Sequence, residues 1–225
     1  MAATPLALLQ RTEPSYLPLI APVGMPFPRG RISEIHGQAS SGRTSLLLNA
    51  LAQATAQEGD LCAIVDATDA FDPGSAAAAG VLLNRLLWVR CREGEHGAAR
   101  LRPLEKAFRA VDLLLQANGF GVVVLDMAGA DADAANRIPL SYWYRFRRAV
   151  EQTRTALLVI ATHPQARQCA AFSVEARRKA MQWTGAAGCV QQRVYLESVE
   201  LSFEPRKPPG IAPAAMQARA LAAGE

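Results

Sequence analysis

The sequence predicts an α/β fold, in which a twisted, mainly parallel sheet carries helices on both faces. Near-continuous apolar segments, typical of strands buried on both sides, alternate along the chain with segments whose apolar residues recur at helical spacing. The chain has 225 residues, half of them hydrophobic, and can bury one sizeable core. No apolar run reaches the roughly 18 residues of a membrane helix, and the first residues lack the pattern of a secretory signal. We therefore expect a chain that does not enter the membrane.

Three regions are expected along the chain. Residues 1–30 are rich in proline and leucine without a sustained period, which predicts an extended lead-in. Residues 31–205 carry the alternating pattern and form the predicted core. Residues 206–225 are predicted to be a linker, RKPPG at its start, followed by a short Ala-rich tail.

The first core elements are a short strand, a glycine-rich loop and a helix that Gly59 is expected to stop. They are carried by RISEIHG, GQASSG and TSLLLNALAQATAQEG. A buried strand, LCAIVDA, follows, and LEKAFRAVDLLLQANG then predicts an amphipathic helix. Its apolar face is expected to consist of Leu104, Phe108, Val111 and Leu115.

The second half of the core repeats the alternation. FGVVVLDMAG predicts a buried strand that ends in Asp126, and Ser141 is expected to cap the helix SYWYRFRRAVEQTR. TALLVIATHP predicts a third buried strand. In RVYLESVELSFEP apolar and polar residues alternate over a longer run than in the other strands, which predicts an edge hairpin or meander.

The spacing of the cysteines and the distribution of charge limit which classes of function fit the sequence. The four cysteines (Cys62, Cys91, Cys169 and Cys189) are widely spaced, which argues against zinc and against a disulfide scaffold and favours a cytoplasmic location. From Arg137 to Lys207 there are twelve Lys or Arg against five Glu. This basic half is either a surface for phosphate or an acidic partner, or an ordinary solvated face.

The segment Gly37–Ser45, GQASSGRTS, matches the phosphate-binding P-loop pattern G-x-x-x-x-G-K-[ST] except at its lysine, which is Arg43. In such a loop, backbone N–H groups hold the phosphates, lysine reaches the β- and γ-phosphates, and the hydroxyl of a residue such as Thr44 helps to bind magnesium. The planar fork of arginine does not fill a cavity shaped for an ammonium group. Arg43 is expected either to clamp phosphate from outside or to occupy the γ-phosphate position.

Asp126 is the candidate for the second part of this site, because an acidic residue after a buried strand orders the magnesium water. The alternative is that Asp126 caps the next turn. The predicted nucleotide-binding residues are Gly37, Gly42, Arg43, Thr44, Ser45, Asp72 and Asp126.

From about Gly30 to Phe203 the chain resembles the RecA recombinases. GRISEIHGQASSGRTS is similar to the recombinase pattern GRIVEIYGPESSGKTT, and AIVDATDAFDP is similar to FIDAEHALDP. The resemblance implies a RecA-like P-loop core. It also implies that Asp72 matches an adenine-contacting aspartate.

The same resemblance implies that the ATPase is degenerate. The Walker lysine falls on Arg43, and the catalytic glutamate falls on Thr68, which cannot act as a general base at neutral pH. The tyrosine that stacks on adenine falls on Ser75, and the pair that senses the γ-phosphate falls on Ala161 and Thr162. We therefore expect a protein that is not an enzyme and needs no cofactor; the alternative ligand is ATP with magnesium.

Further segments resemble the ImuA family, RecA-like accessory factors of SOS-induced mutagenesis; they are SSGRTSLL, DAFDP, RLLWVRC, FGVVVLDMAG and IPLSYWYRF. This resemblance implies three partners: RecA, the Y-family-like protein ImuB and a DnaE-type error-prone polymerase. The alternatives are a DNA-dependent ATPase with a variant Walker A motif and a cell-division inhibitor like SulA, which belongs to the same broad group.

Two basic patches are candidates for binding DNA or a partner, and single-stranded DNA is a further candidate ligand. They consist of Arg145, Arg147 and Arg148 in YWYRFRR, and of Arg177, Arg178 and Lys179 in EARRKA. The alternative for the first patch is that Tyr142, Phe146 and Val150 form a buried helix stripe while the arginines face solvent.

Overall fold

The computed structural model describes residues 16–17, 25, 27–57, 60–91, 102–151, 153–184 and 195–219. Gly59, Cys189 and most of the lead-in lie outside these residues. Within them the helices are α1 (Arg43–Ala56), α2 (Pro73–Ala78), α3 (Pro103–Ala117), α4 (Ala132–Asn136) and α5 (Leu140–Val150). The strands are β1 (Ile32–His36), β2 (Leu61–Asp66), β3 (Leu86–Arg90), β4 (Phe120–Asp126), β5 (Ala156–Ala161), β6 (Ala170–Thr184), β7 (Tyr195–Lys207) and β8 (Ala214–Arg219).

Across the described residues the eight strands form one sheet in the order β3-β2-β4-β5-β1-β6-β7-β8. The strands from β3 to β6 pair in parallel, whereas β7 and β8 add two antiparallel pairings. The carboxyl ends of the parallel strands therefore meet at one edge of the sheet, where α/β proteins bind ligands. The predicted mainly parallel α/β fold is confirmed.

Helices cover both faces of the sheet, as β4 illustrates. Val122 and Val124 belong to the core beneath α1, whereas Val123 and Leu125 belong to the core beneath α3 and α5. Successive strand residues point to opposite faces, so a strand covered on both faces is apolar throughout. The continuous apolar pattern of the sequence has this origin.

The buried faces of α3 and α5 follow the predicted helical spacing, except that Trp143 is buried in α5 in place of Tyr142. Phe108, Val111 and Leu115 are buried as expected. In α5 the fully buried side chains are Trp143, Phe146 and Val150, while Tyr142 is half-buried.

The cap predicted for α5 is wrong. Pro139 is the N-cap residue, with the extended backbone angles φ −61° and ψ 135°, and no side chain forms a cap hydrogen bond there. Ser141 already lies inside the first helical turn, because Pro139 sets the helix entry two residues earlier.

The structure differs from the predicted linker and tail in residues 206–225. β7 extends to Lys207, and Gly210, at φ +91°, lies in the turn before β8. β8 pairs with β7 from Ser198 to Phe203. Without β8, the N–H and C=O groups along one side of β7 would have no strand partner. The hydrogen bonds gained by pairing with β7 outweigh the low strand propensity of the alanines in this segment.

The described part of the lead-in is anchored to the core. The N–H of Leu17 donates to the carbonyl of Phe27 at 2.8 Å, and Phe27 packs edge-on against Phe172, with ring centroids 5.4 Å apart. Leu17, Met25 and Phe27 are all buried. No helix within the described ranges combines the length and the apolar character needed to cross a lipid bilayer.

Candidate phosphate-binding site

The glycine-rich loop follows β1 and reaches α1 at the carboxyl edge of the sheet. A Cβ on Gly37 would lie 2.4 Å from the carbonyl oxygen of Ala176 in β6. Gly42 has φ +89°, and a Cβ there would lie 2.5 Å from Cδ1 of Leu201 in β7. The contact at Gly37 is with backbone and leaves no room for a side chain, whereas at Gly42 the left-handed φ disfavours other residues and the Leu201 side chain would have to shift. The loop therefore needs these two glycines because β6 and β7 press against it.

The loop leads directly into α1, and the N-terminus of this helix has no side-chain cap among the described residues. Gly42 is the N-cap residue, and no side chain among the described residues caps the helix there. Thr44 and Ser45, in the first turn, are exposed. A helix N-terminus of this kind carries partial positive charge and unpaired N–H groups, which favour an anion. The backbone geometry thus retains the means of holding phosphate.

The Arg43 side chain turns back into the loop. Its guanidinium donates to the carbonyl oxygen of Gly37, the first residue of the loop. It also donates, at 3.3 Å, to the carbonyl oxygen of Ala128, which follows β4. Burial lowers the pKa of Arg43, and the nearby carboxylate of Asp126 opposes this shift. Arg43 thus lies across the gap between the P-loop and the end of β4.

Asp126 lies at the end of β4, almost fully buried. Its carboxylate accepts the N–H of Ala128 at 3.0 Å. Burial raises its pKa to about 6; the Ala128 N–H lowers the pKa, Asp66 raises it further and Arg43 lowers it. The observed hydrogen bond is the cap of the following turn. The same carboxylate, once ionised, is chemically suited to a hydrated magnesium ion.

The sequence interpretation missed Asp66, which faces Asp126 across neighbouring strands. Its buried carboxylate accepts backbone N–H groups from Thr68, Ala70 and Phe71, at 3.1, 3.1 and 2.9 Å. Asp66 therefore fixes the turn after β2. An aspartate at the end of a buried strand, followed by small turn residues, was the available signal.

Thr68 occupies the position that the family resemblance assigns to the catalytic glutamate. Its hydroxyl is buried and has no hydrogen-bond partner within the described residues. The side chain lines a cavity of 460 Å³ shared with Cys91 and Leu104. No carboxylate stands at this position to activate water.

Thr162 and Ala161, at the positions that the resemblance assigns to γ-phosphate sensing, form hydrogen bonds with the loops of the site. The hydroxyl of Thr162 donates to the Ala128 carbonyl at 2.8 Å. The carbonyl of Ala161 accepts the N–H of Gly37 at 3.2 Å. Both residues therefore hold the two loops of the site against β5.

Asp72 is the N-cap residue of α2. Its carboxylate accepts the N–H groups of Gly74 and Ser75, at 3.3 and 2.8 Å. These hydrogen bonds, chiefly those from Ser75, lower the pKa of Asp72. None of its contacts within the described residues is with the P-loop, so the structure gives Asp72 a capping role.

The two basic patches lie on separate elements, α5 and β6, and most of their charges have acidic neighbours. Arg145 pairs with Asp112 at 2.9 Å, Arg177 pairs with Glu175 at 2.7 Å, and Lys179 lies 3.6 Å from Glu204. Arg147 lies 4.0 Å from Glu151. Arg148 and Arg178 are exposed. The acidic neighbours weaken these residues as phosphate contacts.

The strand–loop–helix geometry and the acidic end of β4 define an α/β protein of the P-loop class. Residues 16–136 match the RecA N-terminal domain, which is more than half of the chain. The chain belongs to the RecA family. No group of His, Cys, Asp and Glu suited to hold a metal ion occurs within the described residues.

Three bacterial RecA proteins illustrate the similarity. The chain is 40% identical to RecA of Chlorobaculum parvum over 104 residues, 41% identical to that of Chlorobium limicola over 103, and 40% identical to that of Streptococcus pyogenes over 104. Each match covers 46% of this chain. It covers 27%, 26% and 25% of the respective RecA protein, about a quarter of its length.

Proposed function

We propose that this chain is a non-catalytic, RecA-like accessory protein of the SOS response. In this role it acts in the cytoplasm, binds RecA and/or ImuB, regulates recombination and supports error-prone translesion synthesis with a DnaE-type polymerase. Family membership supports the link to recombination and repair. The accessory role and the named partners rest on the ImuA resemblance of the sequence.

The observation that carries the non-catalytic part of the proposal is the placement of Arg43. Its guanidinium bridges the carbonyls of Gly37 and Ala128, where it obstructs the space between the P-loop and β4. Thr68, which offers no general base, supports the same conclusion. A chain with this scaffold and this obstruction suits protein contacts better than ATP turnover.

A protein partner is supported by the edge of the sheet at β3. Within the described residues β3 pairs with β2 alone, so one side of its backbone is unpaired. Leu82, Leu83 and Leu87, at or near this edge, are exposed. An apolar, unprotected edge strand is a template for a partner's strand or apolar face.

Phosphate release by RecA on single-stranded DNA, titrated with this protein, tests the proposal. We expect no release by the protein alone and a saturable change in the RecA rate. A pull-down with purified ImuB tests the other partner. If neither RecA nor ImuB forms a complex with the chain, the proposed function fails.

Paired variants sharpen the partner test. Leu87→Asp alters the β3 edge, where Leu87 is 47% exposed, and Leu113→Asp is the matched control on α3, where Leu113 is 67% exposed. We expect Leu87→Asp to abolish the effect on RecA and Leu113→Asp to preserve it. If both variants change the RecA rate to the same extent, the partner contact does not lie at the β3 edge.

The alternative is a DNA-dependent ATPase that works with Arg43. The exposed hydroxyls of Thr44 and Ser45 and the retained Asp126 favour it. ATP turnover by the protein alone, abolished by Thr44→Ala, would replace the accessory function with this one.

A further inference from the structure

A groove of 480 Å³ lies between α3 and the segment from the end of α4 to the start of α5. α3 and α5 cover the opposite face of the sheet from α1, which follows the P-loop. Its lining contains no residue of the P-loop or of β3, although Leu104 also lines the cavity beside Thr68.

The floor of the groove is apolar and rigid. Leu104, Phe108, Ile138 and Tyr142 line it. The Phe108 ring contacts the rings of Tyr142 and Trp143 edge-on, each with centroids 5.2 Å apart. Such packed aromatic clusters hold their members in place. The floor can therefore receive an apolar side chain without rearrangement.

The rim of the groove is basic. Arg102, Arg109 and Arg137 line it and are exposed, with Glu105 as the single acidic residue of the lining. None of the three arginines forms an ion pair within the described part of the chain, unlike Arg145 on the neighbouring α5, which pairs with Asp112. Three cations against one anion leave an excess of two positive charges. Unpaired arginines beside an apolar surface are suited to carboxylates.

We propose that this groove binds an acidic peptide segment of a partner protein. One apolar side chain of the peptide packs on Leu104 and Ile138, and neighbouring carboxylates face Arg102, Arg109 and Arg137. Apolar anchors flanked by satisfied charges are the usual arrangement of peptide grooves.

The geometry favours a peptide over single-stranded nucleic acid. Nucleic-acid bases need open aromatic faces on which to stack. In this groove Arg145 lies over the Tyr142 ring, 4.7 Å from its centroid, and Phe108 is buried beneath the surface. The aliphatic groups of Leu104 and Ile138 suit an aliphatic or aromatic side chain instead.

Fluorescence anisotropy with the full chain tests the proposal. The probes are labelled Asp/Glu-rich peptides with a central Leu, Phe or Trp, the same peptides with Ser at the centre, and an oligo-dT strand. We expect at least one anchored peptide to bind, with about tenfold weaker binding of its Ser counterpart, because the apolar contact is lost.

Variants locate the binding. Arg109→Glu combined with Arg137→Glu is expected to weaken the anchored peptide about tenfold. Arg148→Glu, an exposed residue of α5 outside the groove lining, is the matched control and should leave binding unchanged. Ile138→Ser, checked by its melting temperature for an intact fold, should weaken the anchored peptide and spare the Ser peptide.

Several results would overturn the proposal. They are failure of every anchored peptide to bind, equal binding of the Ser peptides, an equal loss with Arg148→Glu, and binding of oligo-dT alone. The last result would assign the groove to nucleic acid. None of these results bears on RecA or ImuB binding, so the groove and the proposed function fail separately.

Discussion

Arg43 and Thr162 donate hydrogen bonds to the same acceptor, the carbonyl oxygen of Ala128, at 3.3 and 2.8 Å. One residue stands where the family resemblance places the Walker lysine, the other where it places a γ-phosphate sensor. Both side chains therefore hold the end of β4 instead of reaching toward a nucleotide. For Arg43 to reach toward a phosphate held in the loop, its hydrogen bond to Ala128 would have to break.

Arg43→Lys is expected to create or strengthen ATP binding. A lysine ammonium is more compact and cannot span both carbonyls, so the loop is free to accept phosphate. Thermal melting with and without ATP and magnesium measures the effect, since ligand at a hundred times its dissociation constant adds about 2.7 kcal/mol. Adding Thr44→Ala to the variant should remove the gain. A wild-type chain stabilised as much as Arg43→Lys would show that Arg43 does not obstruct the site.

Asp126→Asn is expected to stabilise the fold above pH 6. The carboxyl pKa is raised from 3.8 to about 6 in the folded chain, so the folded state holds a proton that the unfolded state releases. Stability therefore falls as pH rises from about 4 to about 6, by up to about 3 kcal/mol, and then levels.

Denaturant unfolding of both proteins at several pH values checks this prediction. The difference in the free energy of unfolding between variant and wild type reports the titration of Asp126 separately from that of the other groups. It should be small near pH 4 and largest above pH 6. A difference independent of pH would contradict the raised pKa.

Gly42→Ala is expected to destabilise the protein for two separable reasons. The positive φ of Gly42 costs about 1 kcal/mol or more for alanine, and the contact with Leu201 adds about 1–3 kcal/mol of overpacking. Leu201→Ala removes the contact but not the backbone strain. In a double-mutant cycle measured by urea unfolding, the two changes should therefore cost less together than the sum of their separate effects. Strict additivity would mean that the two residues do not press on each other.

Ending the chain after Gly210 is expected to lower stability and promote self-association. The truncation removes β8 and leaves the β7 edge unpaired. Calorimetry and size-exclusion chromatography measure the two effects. A chain ended after Arg219 is the control and should behave as the full chain does. Unchanged melting of the shorter protein would argue that β8 contributes nothing to the sheet.

The sequence was most informative where one interaction decides the structure. Continuous apolar residues such as those of β4 predict a strand covered on both faces, and the spacing of Gly37 and Gly42 predicts the loop. The sequence left the direction of Arg43 open, because two carbonyls from separate segments attract it. It misassigned residues 214–219, because alanine has a low strand propensity and this segment becomes a strand by pairing with the edge of β7. Asp66 escaped notice although it ends a buried strand, because its partners are the backbone N–H groups of the turn that it fixes, which the sequence does not specify by residue type.

The contact between Gly42 and Leu201 also bears on the order in which the protein folds during synthesis. The ribosome delivers β1, the loop and α1 long before β7 emerges. Until then, Gly42 lacks the side chain that packs against it in the finished protein. The P-loop therefore reaches its final packing among the last parts of the chain, although it is made among the first.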